Sequence, residues 1–282
     1  MSTAVPVGRV TRLHVYPVKS LAGVACDSAG VAARGLLGDR RWGIVDPSGE
    51  KVTAREAHAL LGLTAHPLPN GAVRVTDRTG EAVEAEPPRA AAPLAVSHSG
   101  QGTARPAARE VSDWLSARLG RPVRLVWQDD ESRRPIRAEL GGRPGDVNSL
   151  SDAAPLLLTT DASLGRLNEW LAESGAEAIG HDRFRPNVVV DGGVAFAEDV
   201  WEAVTIGTVP FRRTMVCDRC VMTTIDRDSL RTSKEPIRTL ARYRKWDGQT
   251  WFGLRLTPVL PVPADAVLRL GDAVLATEGR LG

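Results

Sequence analysis

Apolar residues fall along this chain mostly in short β-branched runs parted by turn residues, with a helical period in only a few places. Val10 to Val18 mixes β-branched and polar positions and ends in Pro17-Val18-Lys19-Ser20, which predicts a strand running into a turn. Trp42 to Val45 predicts a short strand closed by the turn Asp46-Pro47-Ser48-Gly49. Val73 to Val75 and the stretch near Val83 predict two more. Residues 86–107, rich in Pro, Ala, Ser and Gly, read as irregular connection. Arg109 to Leu119 predicts a helix: Val111, Leu115 and Leu119 share a face with Trp114 at its edge, and Gly120 follows where a left-handed backbone ends the helix. Val123 to Val126 predicts a strand. Residues 129–148 are polar, rich in Arg, Gly and Pro, and read as a long loop of the kind that is often functional.

A second set of elements begins near Asn148. Pro155 to Leu158 predicts a buried strand. Asp161 stands at the cap of a helix carrying Leu164, Leu167 and Leu171 and ended by Gly175. Val188 to Val190 predicts a strand followed by the turn Asp191-Gly192-Gly193, and Trp201 to Ile206 and Val209 to Met215 predict strands around Gly207. Ser233-Lys234-Glu235-Pro236 opens a last helix with Ile237 and Leu240 inward. Phe252 to Leu256 and Val267 to Ala276 close the chain as strands. Trp114, Trp170 and Trp201 fall on apolar faces and read as core. Many short strands with a few amphipathic helices give an α+β fold, barrel-like in its β part.

Composition narrows the function classes. The 282 residues allow one large domain or two ordinary ones, and 43% hydrophobic residues with seven Trp supply a core. The 36 basic and 34 acidic side chains leave a net charge of +2, which argues against a protein whose main work is coating nucleic acid. No run of about 18 apolar residues spans a membrane, and Met1 to Gly8 lacks the basic and apolar regions of a secretory signal. With three cysteines, which cannot all pair, this makes a reduced cytoplasmic setting the expectation. Abundant Ala, Arg and Gly with scarce Lys read as a bacterial coding bias.

The candidate chemistry starts from Val216-Cys217-Asp218-Arg219-Cys220-Val221-Met222-Thr223-Thr224, which holds two of the three cysteines. Four readings stand. Structural zinc needs four ligands, and neither Cys26 nor the histidines at 14, 58, 66, 98 and 181 have ligand spacing. A redox dithiol should open a helix, whereas the β-branched residues after Cys220 favour a strand. Two half-buried cysteines of the ordinary kind fit equally. The last reading is one thiolate binding a metal that arrives with the rest of its ligands, Arg219 keeping the sulfur deprotonated. Candidate anion contacts are Lys19-Ser20 after a strand, Arg40-Arg41 after the Gly38-Asp39 turn, and Arg185 before Pro186. Each taken singly reads as a solvated cation. No P-loop and no Gly-x-Gly-x-x-Gly after a strand is present.

These pieces occur in a recognisable order: Tyr16-Pro17-Val18-Lys19-Ser20, Gly38-Asp39-Arg40-Arg41-Trp42 with Thr53-Ala54-Arg55, Ser151-Asp152-Ala153-Ala154-Pro155, Phe184-Arg185-Pro186-Asn187, Ala197 to Trp201, Cys217-Asp218-Arg219-Cys220, and Lys234 to Leu240. In this order the chain resembles the MOSC family with an N-terminal MOSC barrel domain, which includes the mitochondrial amidoxime-reducing component and its bacterial relatives. The resemblance implies an N-terminal β-rich domain over 1–128, a mixed β-barrel MOSC domain over 129–282, and a cofactor cleft between them. It implies a molybdenum cofactor, a phosphorylated pterin dithiolene holding molybdenum, with Cys220 as the metal ligand. Lys19, Ser20, Arg40 and Arg185 carry over as phosphate and pterin contacts, and Asn187, Asp218 and Arg219 as positions close to the cofactor. Asp152 remains from a segment whose hydroxyl-bearing positions are Ala153 and Ala154 here.

The implied reaction is reduction of N-hydroxylated compounds such as amidoximes and hydroxylamines, with Cys220 and Asp218 at the reacting centre and Asp218 or water supplying protons. With no cysteine after Cys220, the electrons are expected from a separate flavoprotein, haem protein or ferredoxin, which the arginine-rich 133–143 segment could dock. A cofactor or sulfur carrier and a binding protein without turnover are the alternatives.

Overall fold

The strand Val5–Val15 is built mostly of valine, threonine and leucine alternating with polar residues, and it ties the two ends of the chain together. In the computed structural model, which describes residues 3–98 and 100–279, it pairs antiparallel with Val188–Val190 on one side and Ala273–Glu278 on the other. The ladder continues through Trp201–Ile206, Val209–Asp218 and Gln249–Pro258 to Leu156–Thr160. Leu156–Thr160 then runs parallel beside Val188–Val190 and closes seven strands into a barrel. A parallel neighbour needs a crossover, and helix α2 (Asp161–Glu173) supplies it. Closure leaves no strand edge in the ring. Its interior is filled by side chains such as Leu13, Leu158, Val188, Ile206, Phe211 and Leu254.

A second core lies beside the barrel. Two small sheets face it: Trp42–Val45 with Arg124–Trp127, and Thr64–Pro67 with Val73–Thr76 and Ala82–Ala85. Helix α1 (Arg109–Leu119) packs on it through Val111 and Leu115. The packing crosses the expected division at 128/129. Leu13, Val31 and Leu36 belong to the barrel core, and Ile225 reaches back into the smaller one. The whole is an α+β fold with a mixed barrel, as the strand and helix pattern implies.

Most expected elements are present, and the departures have local causes. Residues 86–107 contain strands Leu94–Ala95 and Thr103–Pro106, which pair with each other and, through the second, with Arg124–Trp127. The cap of α2 is Thr160, whose hydroxyl accepts from Ser163 N (3.1 Å), not Asp161. The strand expected after Cys220 is a single 3-10 turn, Val221–Thr224. The Thr223 and Thr224 hydroxyls donate to the carbonyls of Cys220 (3.0 Å) and Val221 (2.7 Å), which gives the backbone an alternative to a ladder. The last apolar stretch is two strands, Val267–Arg269 and Ala273–Glu278, separated by Gly271 at φ +81°. Trp201 is core, while Trp170 is half-buried and stacks on Tyr243 and Phe196.

Two predictions concern this frame. Leu158 is fully buried where the barrel closes. Leu158→Ala is expected to lower the unfolding free energy by about 2–5 kcal/mol in urea denaturation. Glu198 is 0% exposed and accepts from the Ser163 hydroxyl at 2.9 Å. Burial pushes its pKa up from 4.5 to about 7. Below the lower value the group is protonated in both states. Between the two values the unfolded chain gives up the proton and the native one keeps it, so stability falls as pH rises, by on the order of 3 kcal/mol in all. Glu198→Gln is expected to flatten that decline in denaturation curves taken from pH 4.5 to pH 7.5.

Candidate functional site

The residues singled out in the sequence sit where strands begin or end. Lys19 and Ser20 follow Val5–Val15, Arg40 precedes Trp42–Val45, Asp152 precedes Leu156–Thr160, and Arg185 and Asn187 precede or abut Val188–Val190. Asp218 ends its strand, and Arg219 and Cys220 continue from it. The structure brings all nine of these residues to one cleft of about 210 Å³, between the barrel and the smaller core. Three of them have backbones in the left-handed region: Ser20 at φ 71°, Arg40 at φ 49° and Arg185 at φ 57°. Side-chain-bearing residues rarely adopt it, so strain is concentrated in the segments expected to meet an anion.

A buried carboxylate holds those segments in place. Asp39 is 1% exposed. Its Oδ1 accepts from Tyr16 N (2.8 Å) and Asn187 Nδ2 (3.0 Å), and its Oδ2 pairs with Arg40 Nη1 (2.6 Å). Asn187 also donates to His14 O (3.2 Å) and accepts from Leu157 N and Arg40 Nη1 (both 3.2 Å), so its amide is a stitch between the two cores. Tyr16 lies beneath the guanidinium groups of both Arg40 (4.6 Å from the ring centre) and Arg185 (4.4 Å). Burial pushes the Tyr16 phenol up to about 12, so it stays neutral and donates to Pro186 O at 3.1 Å. Burial and then the neighbouring Arg40 charge bring Arg185 down to about 10. Among the described residues Arg185 has no ion-pair partner, and one carboxylate therefore faces two stacked cations.

On the other wall, Lys19 Nζ meets Asp152 Oδ1 (2.5 Å) and Leu150 O (2.7 Å). Burial draws the Lys19 pKa down, while Lys19 and then Arg55 hold the Asp152 carboxyl well below the usual range. Arg55 joins this wall to the sulfur: Nη2 pairs with Asp152 Oδ2 (2.8 Å) and Nε donates to Cys220 Sγ (3.4 Å). The cation that hydrogen-bonds the thiol is thus Arg55; Arg219, expected in that task, lies near the Cys217 and Cys220 sulfurs without a hydrogen bond to either. Arg219 Nε and Nη1 are engaged by the carbonyls of Phe252 (2.8 Å) and Phe184 (3.3 Å), and its buried Nη2 has no partner. The close approach needs Gly253, at φ +82°, where a Cβ would lie 3.3 Å from that Nη2. Arg55 was legible only as part of Thr53-Ala54-Arg55.

All three cysteines are free; Cys220 is exposed, Cys217 is 6% exposed and also lines the cleft, and Cys26 lies elsewhere. Asp218 Oδ1 pairs with Arg255 Nη2 at 2.6 Å. Among the described residues no three His, Cys, Asp or Glu side chains cluster to hold a metal, so the zinc reading has no geometry behind it. In the 133–143 segment, Arg134 is buried and donates to the carbonyls of Ser149 and Ser151, and Arg133 and Arg137 pair with Asp129 and Glu139. Arg133 and Arg137 thus pair close to their own positions in the loop.

A family model described as the MOSC N-terminal beta barrel domain matches residues 7–122, and one described as the MOSC domain matches residues 145–275. The chain is 34% identical over 260 residues to mitochondrial amidoxime-reducing component 1 of Homo sapiens, covering 86% of this chain and 73% of that protein. It is 31% identical over 284 residues to mitochondrial amidoxime reducing component 2 of Homo sapiens, covering 95% and 83%. It is also 29% identical over 292 residues to a molybdenum cofactor sulfurase of Danio rerio, covering 94% of this chain and 34% of that longer protein.

The Asp39 arrangement carries its own prediction. Asp39→Ala leaves Arg40 buried without its carboxylate, which is expected to cost about 3–5 kcal/mol of stability in urea denaturation. A loss under about 1 kcal/mol would mean that the carboxylate does not hold the frame.

Proposed function

The chain belongs to the MOSC family, and on that premise we propose that it is a molybdenum-cofactor-dependent oxidoreductase that reduces N-hydroxylated compounds. One observation carries the reading. A free, exposed thiol and two stacked guanidinium groups sharing one carboxylate open onto a single cleft between the two cores. The residues present suit a phosphorylated, metal-bearing ligand. The unpartnered Nη2 of Arg219 and the excess charge of Arg40 and Arg185 favour an anion. The sulfur of Cys220 offers a soft ligand on the same cleft.

In this reading Lys19, Ser20, Arg40 and Arg185 hold the phosphate and pterin, Asn187 and Arg219 fix the segments that carry them, and Cys220 is the metal ligand. When bound, the cofactor supplies the two-electron chemistry that breaks the N–O bond. Arg55 orients the Cys220 sulfur and, through Asp152, locks it to Lys19. Asp218 and ordered water are the proton carriers, with Arg255 fixing the Asp218 carboxylate. In this reading the electrons come from a separate flavoprotein, haem protein or ferredoxin. We place the protein in the cytoplasm; no helix among the described residues is long and apolar enough to cross a membrane.

A second reading rests on Cys217, the other thiol of the cleft, and on the likeness to a molybdenum cofactor sulfurase. As a cofactor or sulfur carrier, the protein would bear a persulfide on one of the two cysteines and release molybdenum when the cofactor is passed on.

One pair of variants tests the first reading. Cys220→Ala is expected to lose nearly all bound molybdenum by elemental analysis, and Cys217→Ala to keep most of it. The wild-type protein should reduce benzamidoxime with an artificial electron donor. Equal molybdenum in both variants removes the ligand assignment, and stoichiometric molybdenum without turnover removes the reductase.

A further inference from the structure

A second pocket, of about 190 Å³, lies behind the wall formed by Lys19, Asp152 and Arg55. Beyond that wall its lining is Lys51, Thr53, His98, Arg134 and Leu150, and only Thr53 of these also faces the first cleft. Four cations and one carboxylate line it, and the carboxylate is already taken by Lys19 and Arg55. Among the described residues neither Lys51 nor Arg134 has an ion-pair partner. Arg134 is 7% exposed, with two backbone carbonyls as its hydrogen-bond partners. A guanidinium so buried, whose counter-charge Asp152 is already paired with Lys19 and Arg55, costs free energy that a small anion would offset. Burial, against the opposing charge of Asp152, brings its pKa down to about 10. His98 is 3% exposed and its Nε2 has no hydrogen-bond partner. Burial, and then the charges of Lys19, Arg134 and Lys51, lower the His98 pKa to about 3, so the ring is neutral, and its Nε2 faces Gly43.

We propose that this pocket is a second anion-binding site, separate from the cleft, which takes a compact oxyanion through Lys51 and Arg134. Because Arg55 runs from the shared wall to the Cys220 sulfur, an anionic group held here lies one side chain away from the reacting thiol. The anion has two possible sources: a carboxylate or phosphate carried on the substrate, or a free inorganic anion. Anion binding itself does not depend on the proposed reductase chemistry; the substrate-borne source does.

The experiment titrates inorganic phosphate by calorimetry into the cofactor-loaded full chain, so that the first cleft is filled. Lys51 is exposed and outside the first cleft, and its substitution should leave the fold intact. One phosphate site is expected in the wild type and in Lys51→Arg, and binding at least about tenfold weaker in Lys51→Glu. Absence of binding, or equal affinity in all three, overturns the site. Kinetics then separate the sources. A substrate-borne anion predicts that Lys51→Glu raises KM for a carboxylate-bearing benzamidoxime about tenfold while benzamidoxime itself is unchanged. A free anion predicts no difference between the two substrates. Phosphate binding lost in Lys51→Glu by a protein that turns over neither amidoxime supports the site and counts against the reductase.

Discussion

The site depends on the buried carboxylate of Asp39. One side chain receives a backbone N–H from the end of the first barrel strand, an amide from the segment before another, and a guanidinium from its own turn. These three partners come from opposite sides of the boundary between the two cores. A carboxylate with no solvent contact is tolerable only when its lone pairs are used, so the three segments cannot drift apart without stranding a charge. The positions of Arg40, Asn187 and Tyr16 follow from that constraint, and Arg185 follows from Tyr16.

The same constraint explains the strained backbones. Ser20, Arg40 and Arg185 turn through positive φ at the points where the chain leaves or enters a strand at this cleft. A left-handed residue at such a point reverses the chain sharply and keeps its side chain near the cleft rather than in the strand's alternation. The cost of each is on the order of 1–3 kcal/mol and persists only where surrounding contacts over-determine it. For Arg40 and Arg185, those contacts are Asp39, Asn187 and the Tyr16 ring. Strain, clustered cations and an unpartnered Arg219 nitrogen all lower the stability of the empty protein. An anion would offset the clustered cations and the unpartnered nitrogen, which is the physical sense in which the cleft suits the proposed ligand.

Legibility in the sequence followed how local each determinant is. Trp42–Val45, Val188–Val190, Trp201–Ile206 and α1 were readable because β-branched runs, turn residues and a helical apolar face lie within a few positions of one another. Leu94–Ala95 and Thr103–Pro106 were not, because they are strands only by virtue of a partner supplied by the fold. The turn after Cys220 misled in the opposite direction: threonine favours strands on average, but here its hydroxyls close a turn on the carbonyls behind them. The site residues were legible as an ordered set of motifs, since no single cation or cysteine distinguished itself. Asp39 and Arg55 were quoted within those motifs without a role, because a role as counter-charge or sulfur partner exists only once residues far apart in sequence meet.

Arg55 shows why the set works as a unit. Its guanidinium has two kinds of partner at once, a thiol whose sulfur it can stabilise when charged and a carboxylate that fixes its own orientation. Lys19 holds that carboxylate from the other side. Any change in charge at the sulfur is therefore felt at Asp152 and Lys19 through direct contacts, without movement of the backbone. Ion pairs exposed to solvent transmit little, and Asp152 is exposed, but the Lys19 side chain is largely covered and the pair sits on the wall common to both pockets. The wall that separates the two pockets thus couples them electrostatically: an anion on either side competes with Asp152 for the same two cations, and the sulfur lies at one end of that contest.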